Sequence, residues 1–425
     1  MERRIFFNCL KIKIFIIVLC HFVYLNCGVA TGAFAQSGGD RISDQIAKAG
    51  FENVTVNRLD DTLRVYYENR RYRFEPHGMA EVIHIVYGQN LMTETILDLI
   101  LLREMVPVLR LTMPLSAYAQ YLDSIIDEQA LFAKMIATLD VSGMEKSRDE
   151  IRNPSRFKID LPVIPNWSAK FGDFDNPVES NINLIPELNS TLARGLTLKA
   201  QLIIPVQNDF FFVAERETVR LGNITLNQFA SLDDNFYLNL TTGFFDKNRA
   251  GVDFEIKKLF GEGKFEIGAN VGYTGYYSFT GIQTEFYDKQ RYLTAIFNAQ
   301  YRYNPYDIVA RLEVGNFLYN VLTARFEVLR QFGQVKIGFF AFATKDDYDG
   351  GFRFSIPIPP RKYTRLRIFR IRPSKSFAWE YRAKGFPQNG VKYQTGYNLT
   401  DMLLDYNPDF VKKRLIIEIE KLTDK

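Results

Sequence analysis

The chain has 425 residues, 53 basic against 49 acidic side chains, a formal charge of +4, and 3 cysteines. Four of those bases (Arg3, Arg4, Lys11, Lys13) and one acid (Glu2) fall in residues 1–35, so the remainder is nearly balanced and offers no electrostatic footprint for nucleic acid. Cys9, Cys20 and Cys27 all lie in the same stretch, so residues 36–425 hold no disulfide, no thiol nucleophile and no thiolate metal site.

The basic start is followed by an apolar run, Ile14 to Tyr24, interrupted by His21, and then by small residues ending Ala33-Phe34-Ala35. This order predicts a cleaved secretory signal peptide over 1–35, because the apolar core is short for a spanning helix. The next most apolar stretch, Leu91 to Met113, is broken by Glu94, Asp98, Arg103, Glu104 and Arg110. Each such charge costs about 2.5–3.5 kcal/mol near a bilayer centre. If the remainder enters a membrane it does so as a closed barrel, the other structure that satisfies its backbone in lipid.

Residues 36–141 read as a small α/β domain, expected to be periplasmic. Asp40 to Gly50 is helical, Val54 to Val56 and Leu63 to Tyr67 are strands joined around Asp60-Asp61, and Met79 to Tyr87 is helical. Leu97 to Leu111 is strand material with a break expected at Pro107, and Tyr118 to Ala137 reads as one further helix. Ser142 to Pro154 is polar and charged, which suggests a linker over 142–156.

From residue 157 the pattern changes to period two. In Lys264 to Phe279 the odd positions are Phe265, Ile267, Ala269, Val271, Tyr273, Gly275, Tyr277 and Phe279, and the even ones are polar or small. The same alternation recurs in Gly195 to Val206, Phe236 to Phe244, Ala250 to Phe260, Leu293 to Tyr303, Ile308 to Val314, Leu322 to Phe332 and Val335 to Ala343. Soluble strands average about 5–6 residues and transmembrane strands need about 9–11. Most of these runs have the longer length. The 36 Phe and 23 Tyr suit interfacial aromatic girdles. The expected fold is mainly β: a transmembrane antiparallel β-barrel of about 12–16 strands over 157–425, preceded by the α/β domain. Tight turns at Asp246-Lys247-Asn248, Gly261-Glu262-Gly263, Asn304-Pro305-Tyr306 and Phe332-Gly333-Gln334 alternate with longer loops at Thr280 to Lys289 and Thr344 to Asp349. Arg414 to Leu422 also reads as strand-like.

Leu312 to Pro359 is the most specific stretch. Its Gly315-Asn316-Phe317-Leu318 turn, Ala324-Arg325-Phe326 strand, the Gly338 strand ending Ala343-Thr344, the acidic loop before Gly350-Gly351, and Phe354-Ser355-Ile356-Pro357 carry a resemblance. They resemble the YjbH-like family of Gram-negative outer-membrane proteins associated with exopolysaccharide production. Weaker likeness extends back to Phe171-Gly172-Asp173 and includes Thr242-Gly243-Phe244-Phe245 and Gly272-Tyr273-Thr274. The chain departs from the family pattern at Tyr319-Asn320-Val321-Leu322, where members carry a Gly-Asp-type turn. The resemblance implies a barrel linked to exopolysaccharide secretion.

Chemistry-bearing residues are few. His77 and His84 are the two histidines of residues 36–425, both in the α/β region, so Ser-His or Cys-His catalysis has no base in the barrel. His77, Glu81 and His84 share a helical face, but no fourth metal ligand accompanies them. Asp346, Asp347 and Asp349, and also Asp173 and Asp175, read as solvated turns rather than calcium sites. The most unusual feature is an acid-free basic run: Arg361, Lys362, Arg365, Arg367, Arg370 and Arg372, with Lys375. Alternation puts Arg365 and Arg367 on the wet face of a strand, with a bulge or strand end near Phe369 to change phase. Such a run suits an acidic polysaccharide in the lumen or lipid phosphates at the rim.

The expectation is a non-enzymatic outer-membrane barrel in exopolysaccharide biosynthesis or export. Its expected partners are outer-membrane lipid, acidic polysaccharide and periplasmic export proteins, with no cofactor, no metal and no nucleic acid. A general diffusion porin and a carbohydrate-active enzyme on a barrel scaffold are the alternatives.

Overall fold

The computed structural model describes residues 38–423 except 90, 92–93, 145–150, 173, 175–176, 211–216, 281–282 and 384–389. The signal-peptide stretch, Asp173 and Asp175 lie outside the described residues.

The first layer is α/β. Helix α1 (Gly38–Ala49) ends at Gly50, whose φ of +104° favours glycine. Strands β1 (Glu52–Leu59) and β2 (Thr62–Glu68) pair antiparallel. Helix α2 (Glu75–Tyr87), with Pro76 in its first turn, carries the chain over to β3 (Ile96–Arg103), which runs parallel to β2. Strand β4 (Val106–Pro114) returns antiparallel, and β5 (Ile136–Thr138) closes the order β1-β2-β3-β4-β5. The chain breaks at Glu104-Met105, both at positive φ, and Pro107 pairs within β4, so the break lies ahead of the expected proline. Tyr118 to Ala137 is not one helix. It forms α3 (Leu115–Leu122), α4 (Glu128–Lys134, capped by Asp127) and then β5.

The core of this layer is shared with the C-terminus. Ile46, Phe51, Val65, Ile83, Leu99 and Leu111 cluster with Phe410, Val411, Leu415 and Ile419. The last four belong to helix α6 (Pro408–Thr423), which follows the short α5 (Leu399–Asp405). This corrects the strand reading of Arg414 to Leu422: the residues that pack follow helical spacing, and α6 lies against α2 rather than in a sheet.

The second layer is a fourteen-stranded sheet among the described residues. Its members are β6 (Ile159–Phe171), β7 (Val178–Ala193), β8 (Leu196–Asn208), β9 (Arg220–Leu232), β10 (Phe236–Phe245), β11 (Arg249–Phe260) and β12 (Phe265–Thr280). They continue with β13 (Gln283–Tyr303), β14 (Ile308–Phe317), β15 (Val321–Phe332), β16 (Val335–Thr344), β17 (Tyr348–Pro357), β18 (Phe369–Pro373) and β19 (Ser376–Arg382). β6 to β17 pair antiparallel in chain order, β19 pairs antiparallel with β17, and β18 pairs parallel with β6.

The two ends of that order, β18 and β19, are separated by Ser374 and Lys375 alone, so the sheet rolls back on itself. The hydrogen-bonded seam is not closed along its whole length: β6 pairs with β18, and Ser374 N donates to Val163 O, but β6 and β19 share no ladder. There the Trp167 and Trp379 rings stack 5.1 Å apart, with Phe171 against Trp379 and Tyr381.

The proximal end of the rolled sheet meets the α/β layer, and Phe229, Tyr237 and Leu259 join its core. Connections such as 194–195 and 333–334 proximally and 246–248, 318–320 and 345–347 distally are short, whereas 209–219 at the distal end and 358–368 at the proximal end are longer. The two longer loops expected from the sequence are placed differently. Thr280 to Lys289 is mostly strand, and Thr344 to Asp349 is a tight turn. Gly315 to Phe317 belongs to β14, and the turn itself is Leu318–Asn320 with Tyr319 at φ +65°.

Candidate functional site

Alternation sorts each strand into two faces, and the faces differ in kind. In β15, Thr323, Glu327, Leu329 and Gln331 are buried toward the interior, whereas Leu322, Phe326, Val328 and Phe332 are exposed outside. Leu322 is 67% exposed and Phe339 of β16 is 66% exposed. The outward row continues through Leu240, Val252, Ile267, Val271, Phe297 and Leu312. Each such side chain, about half exposed, forgoes on the order of 1 kcal/mol while it faces water.

The interior is charged and paired. Lys257 is wholly buried and reaches Glu266 Oε1 at 2.5 Å and Asn298 Oδ1 at 2.9 Å. Arg302 pairs with Asp307 at 3.0 Å, and Arg311 with Glu327 at 3.3 Å. Arg353 also engages Glu327. Buried charges without such partners would be untenable.

The interior is also filled by chain. From the distal end, Val391 O accepts from Leu318 N at 3.1 Å, and Asp246 N donates to Gln394 O at 3.2 Å. Tyr393 Oη donates to Asp253 Oδ2 at 2.6 Å, and Lys392 Nζ lies 2.7 Å from Glu313. Further along, Leu399 N donates to Glu255 at 3.1 Å, and Asp401 faces Arg353 at 3.5 Å and Arg311 at 3.7 Å. Asp405 meets Lys336 at 2.8 Å, and Asn407 Nδ2 donates to the proximal-turn carbonyl of Gly263 at 3.4 Å. Residues 391–407 therefore thread the interior from one end to the other. They leave a cavity of about 630 Å³, lined among others by Glu255, Arg311, Glu327, Lys336, Arg353 and Lys375.

The basic run divides in two. Arg370 and Arg372 belong to β18, point inward and share Asp160 of β6 at 2.9 and 2.8 Å, with both guanidiniums over the Tyr363 ring. They latch the parallel seam and do not lie free for a ligand. Arg361, Lys362, Arg365 and Arg367 are exposed on the proximal β17–β18 connection, outside the interior. That connection is not a strand. The phase change expected near Phe369 is there because β18 begins at that residue. Lys375 lines the cavity.

The histidines are structural. His77 Nδ1 lies 2.7 Å from Glu418 of α6, and His84 Nδ1 lies 3.3 Å from Tyr118 Oη. Burial would raise the Glu418 carboxyl, but hydrogen bonds from His77 and Lys421 overcome this and hold it down at about 2. Asp349 hydrogen-bonds Gly350 N at 2.7 Å and faces Arg382 at 3.7 Å. Among the described residues no group of three His, Cys, Asp or Glu is placed to hold a metal, and no helix is long and apolar enough to cross a membrane.

Sequence reasoning missed the interior segment. Val391, Tyr393, Thr395 and Tyr397 alternate with polar or small neighbours, and Asn398 caps a helix that buries Leu399, Leu403 and Leu404, but these local signals place the segment in the lumen only once the wall charges opposite them are known.

An antiparallel sheet rolled on itself, charged within and apolar without, is an architecture of the outer-membrane β-barrel type. The chain belongs to the family of the exopolysaccharide biosynthesis protein YbjH, whose model it matches over residues 30–360. The basic run, β18, β19, the interior segment and α6 lie beyond the matched residues. No curated protein matches the chain. Among solved structures it is similar to a loop L8 deletion mutant of OmpT, an outer membrane protein of Vibrio cholerae. That match has 10% identity and a TM-score of 0.26, covering 46% of this chain and 85% of the other.

Proposed function

We propose that the chain is a plugged outer-membrane β-barrel of Gram-negative bacteria that takes part in exopolysaccharide biosynthesis or export without itself being a catalyst. The observation that carries this reading is the sidedness of the sheet. Its apolar row faces out, where lipid would cover it, and its ion pairs face in. Residues 1–35 would be the removed signal peptide, and the α/β layer would stand in the periplasm, available to export proteins. Lys258 over Phe236 at 4.2 Å and Arg330 over Phe332 at 4.4 Å place cations on rings at the proximal rim, as an interfacial girdle requires. Exposed Arg361, Lys362, Arg365 and Arg367 adjoin outward-facing Ile368 and Phe369. They would therefore meet lipid phosphates rather than a glycan in the lumen.

The non-catalytic reading is supported by the interior carboxylates: Glu313, Glu327, Asp401 and Asp405 are each engaged by Lys or Arg. A general diffusion pore fits poorly with a lumen crossed by residues 391–407.

The test is quenching by bromine-labelled lipid. The chain has 2 tryptophans, and Trp167 and Trp379 both sit on the outer face of the seam. In proteoliposomes their fluorescence should fall strongly with brominated acyl chains. Unchanged emission, together with solubility in plain buffer, would remove the barrel reading.

A further inference from the structure

We infer that the lumen wall around Arg311, Arg353 and Lys336 is a binding site for the carboxylates of an acidic saccharide, occupied in this structure by Asp401 and Asp405 of the chain's own interior segment. This deepens the proposed function and rests on it.

The wall charges of the lumen fall on two sides. On β11 and β14, Asp253, Glu255 and Glu313 line the cavity. Arg311, on β14, and Lys336 and Arg353, on β16 and β17, line it with Glu327, beside Arg325 of β15 and Glu380 of β19, which pair with each other at 3.0 Å. The interior segment matches this division. Its cation, Lys392, and its hydroxyl, Tyr393, meet the acidic wall. Its carboxylates, Asp401 and Asp405, meet the basic one. With those two carboxylates gone, four cations on β14 to β17 would face two acids, Glu327 and Glu380, a net charge of two in a confined space. Such a cluster attracts anions, and guanidinium pairs grip planar carboxylates by geometry as well as by charge.

Asp401 also looks like a stand-in rather than a permanent member of the wall. It approaches both guanidiniums at 3.5–3.7 Å, looser than Arg311–Glu327 at 3.3 Å. Asp405 is itself half-exposed, and its 2.8 Å contact is to a lysine, whose head is a point charge without fixed direction. The ligand class that would replace both is a polyhydroxylated chain bearing carboxylates, a uronic-acid or pyruvylated glycan. Its hydroxyls would suit the amides and carboxylates elsewhere in the cavity.

The experiment measures binding of a labelled tetragalacturonate and of uncharged maltotetraose to the full chain in detergent, in three proteins: wild type, Asp401→Asn/Asp405→Asn, and that variant with Arg353→Gln. Freeing the cradle removes an internal competitor, so the acidic oligomer should bind about tenfold more tightly to the double variant. The gain should vanish with Arg353→Gln, and maltotetraose should not distinguish the three. Equal affinity for the acidic and neutral oligomers, or no gain on freeing the cradle, would overturn the inference. A gel shift between unboiled and boiled samples reports the barrel separately: its absence from wild type sinks the barrel reading instead. Should the double variant lack the shift, a disulfide between Asp246→Cys and Gln394→Cys keeps the question answerable. Oxidation should lower tetragalacturonate binding and reduction restore it, and binding indifferent to oxidation would also overturn the site.

Discussion

Tyr393 passes over Gly272 so closely that a Cβ at position 272 would lie 1.6 Å from its hydroxyl oxygen. That hydroxyl is held by Asp253 at 2.6 Å and lies 3.3 Å from Thr294 Oγ1, so the ring has no room to yield. Gly272→Ala should therefore push the interior segment off the wall. Overpacking of this kind costs about 1–3 kcal/mol, which raises the displaced population at least about fivefold. Planar-bilayer recordings should show openings that are rare in wild type, and identical traces would mean that the segment does not block the lumen.

The converse variant should close it. Asp246 N donates to Gln394 O at 3.2 Å, so the two backbones lie side by side and a cysteine pair there is the natural crosslink. All native cysteines lie within the first 27 residues, so the engineered pair has no competitor if that stretch is removed. Oxidised Asp246→Cys/Gln394→Cys should conduct less than the reduced form, in wild-type and Gly272→Ala backgrounds alike.

Asp98 is the charged centre of the α/β layer. Its carboxylate is fully buried and held by Arg110 at 2.7 Å and Arg64 at 2.8 Å, with Thr112 at 3.1 Å. Burial raises its pKa, but the hydrogen bonds from Arg110 and Arg64 prevail and bring it below the usual carboxylate range. Asp98→Ala leaves two guanidiniums without their acceptor and should cost about 3 kcal/mol. Urea titration followed by backbone amide exchange in β3 and β4 would measure it, and a loss under about 1 kcal/mol would show that water replaces the pair.

The contact between α6 and α2 should be acid-sensitive. The Glu418 carboxyl is held at about 2 against an ordinary value of 4.5, so the folded state binds fewer protons than the unfolded one between those limits. Its stabilisation is complete above about pH 4.5 and is lost as pH falls toward 2. Exchange protection of α6 should fall through that window, and Glu418→Gln should lack this component. Protection that falls equally in both proteins would assign the acid response elsewhere.

What could be read in advance follows from the range of the forces involved. Strand alternation is local, so long stretches such as Phe265 to Phe279 and Leu322 to Phe332 disclosed both their conformation and their two-sidedness. The outward direction of the apolar side followed from strand length. Arg414 to Leu422 misled because its isoleucines favour strands, and the helical spacing emerges only over Phe410, Val411, Leu415 and Ile419. Arg370 and Arg372 looked like ligand-binding residues because their partner, Asp160, lies 210 residues earlier in the sequence. The path of the interior segment could not be read, since its place in the lumen is set by wall charges contributed by several distant strands, although Asn398 ahead of Leu399 and Leu403 marks its short helix.

The parallel pairing of β18 with β6 has a consequence for assembly. Twelve strands alternate in direction from β6 to β17, and the last stretch adds a thirteenth wall to the circuit, so an odd count forces first and last to run the same way. Each join from β6 to β17 is between strands consecutive in the chain and can zip as soon as both halves exist. The final join brings together segments some two hundred residues apart and pays the largest loop-closure cost. On loop-closure cost alone, the circuit is fastened last at Asp160, where two arginines meet one carboxylate.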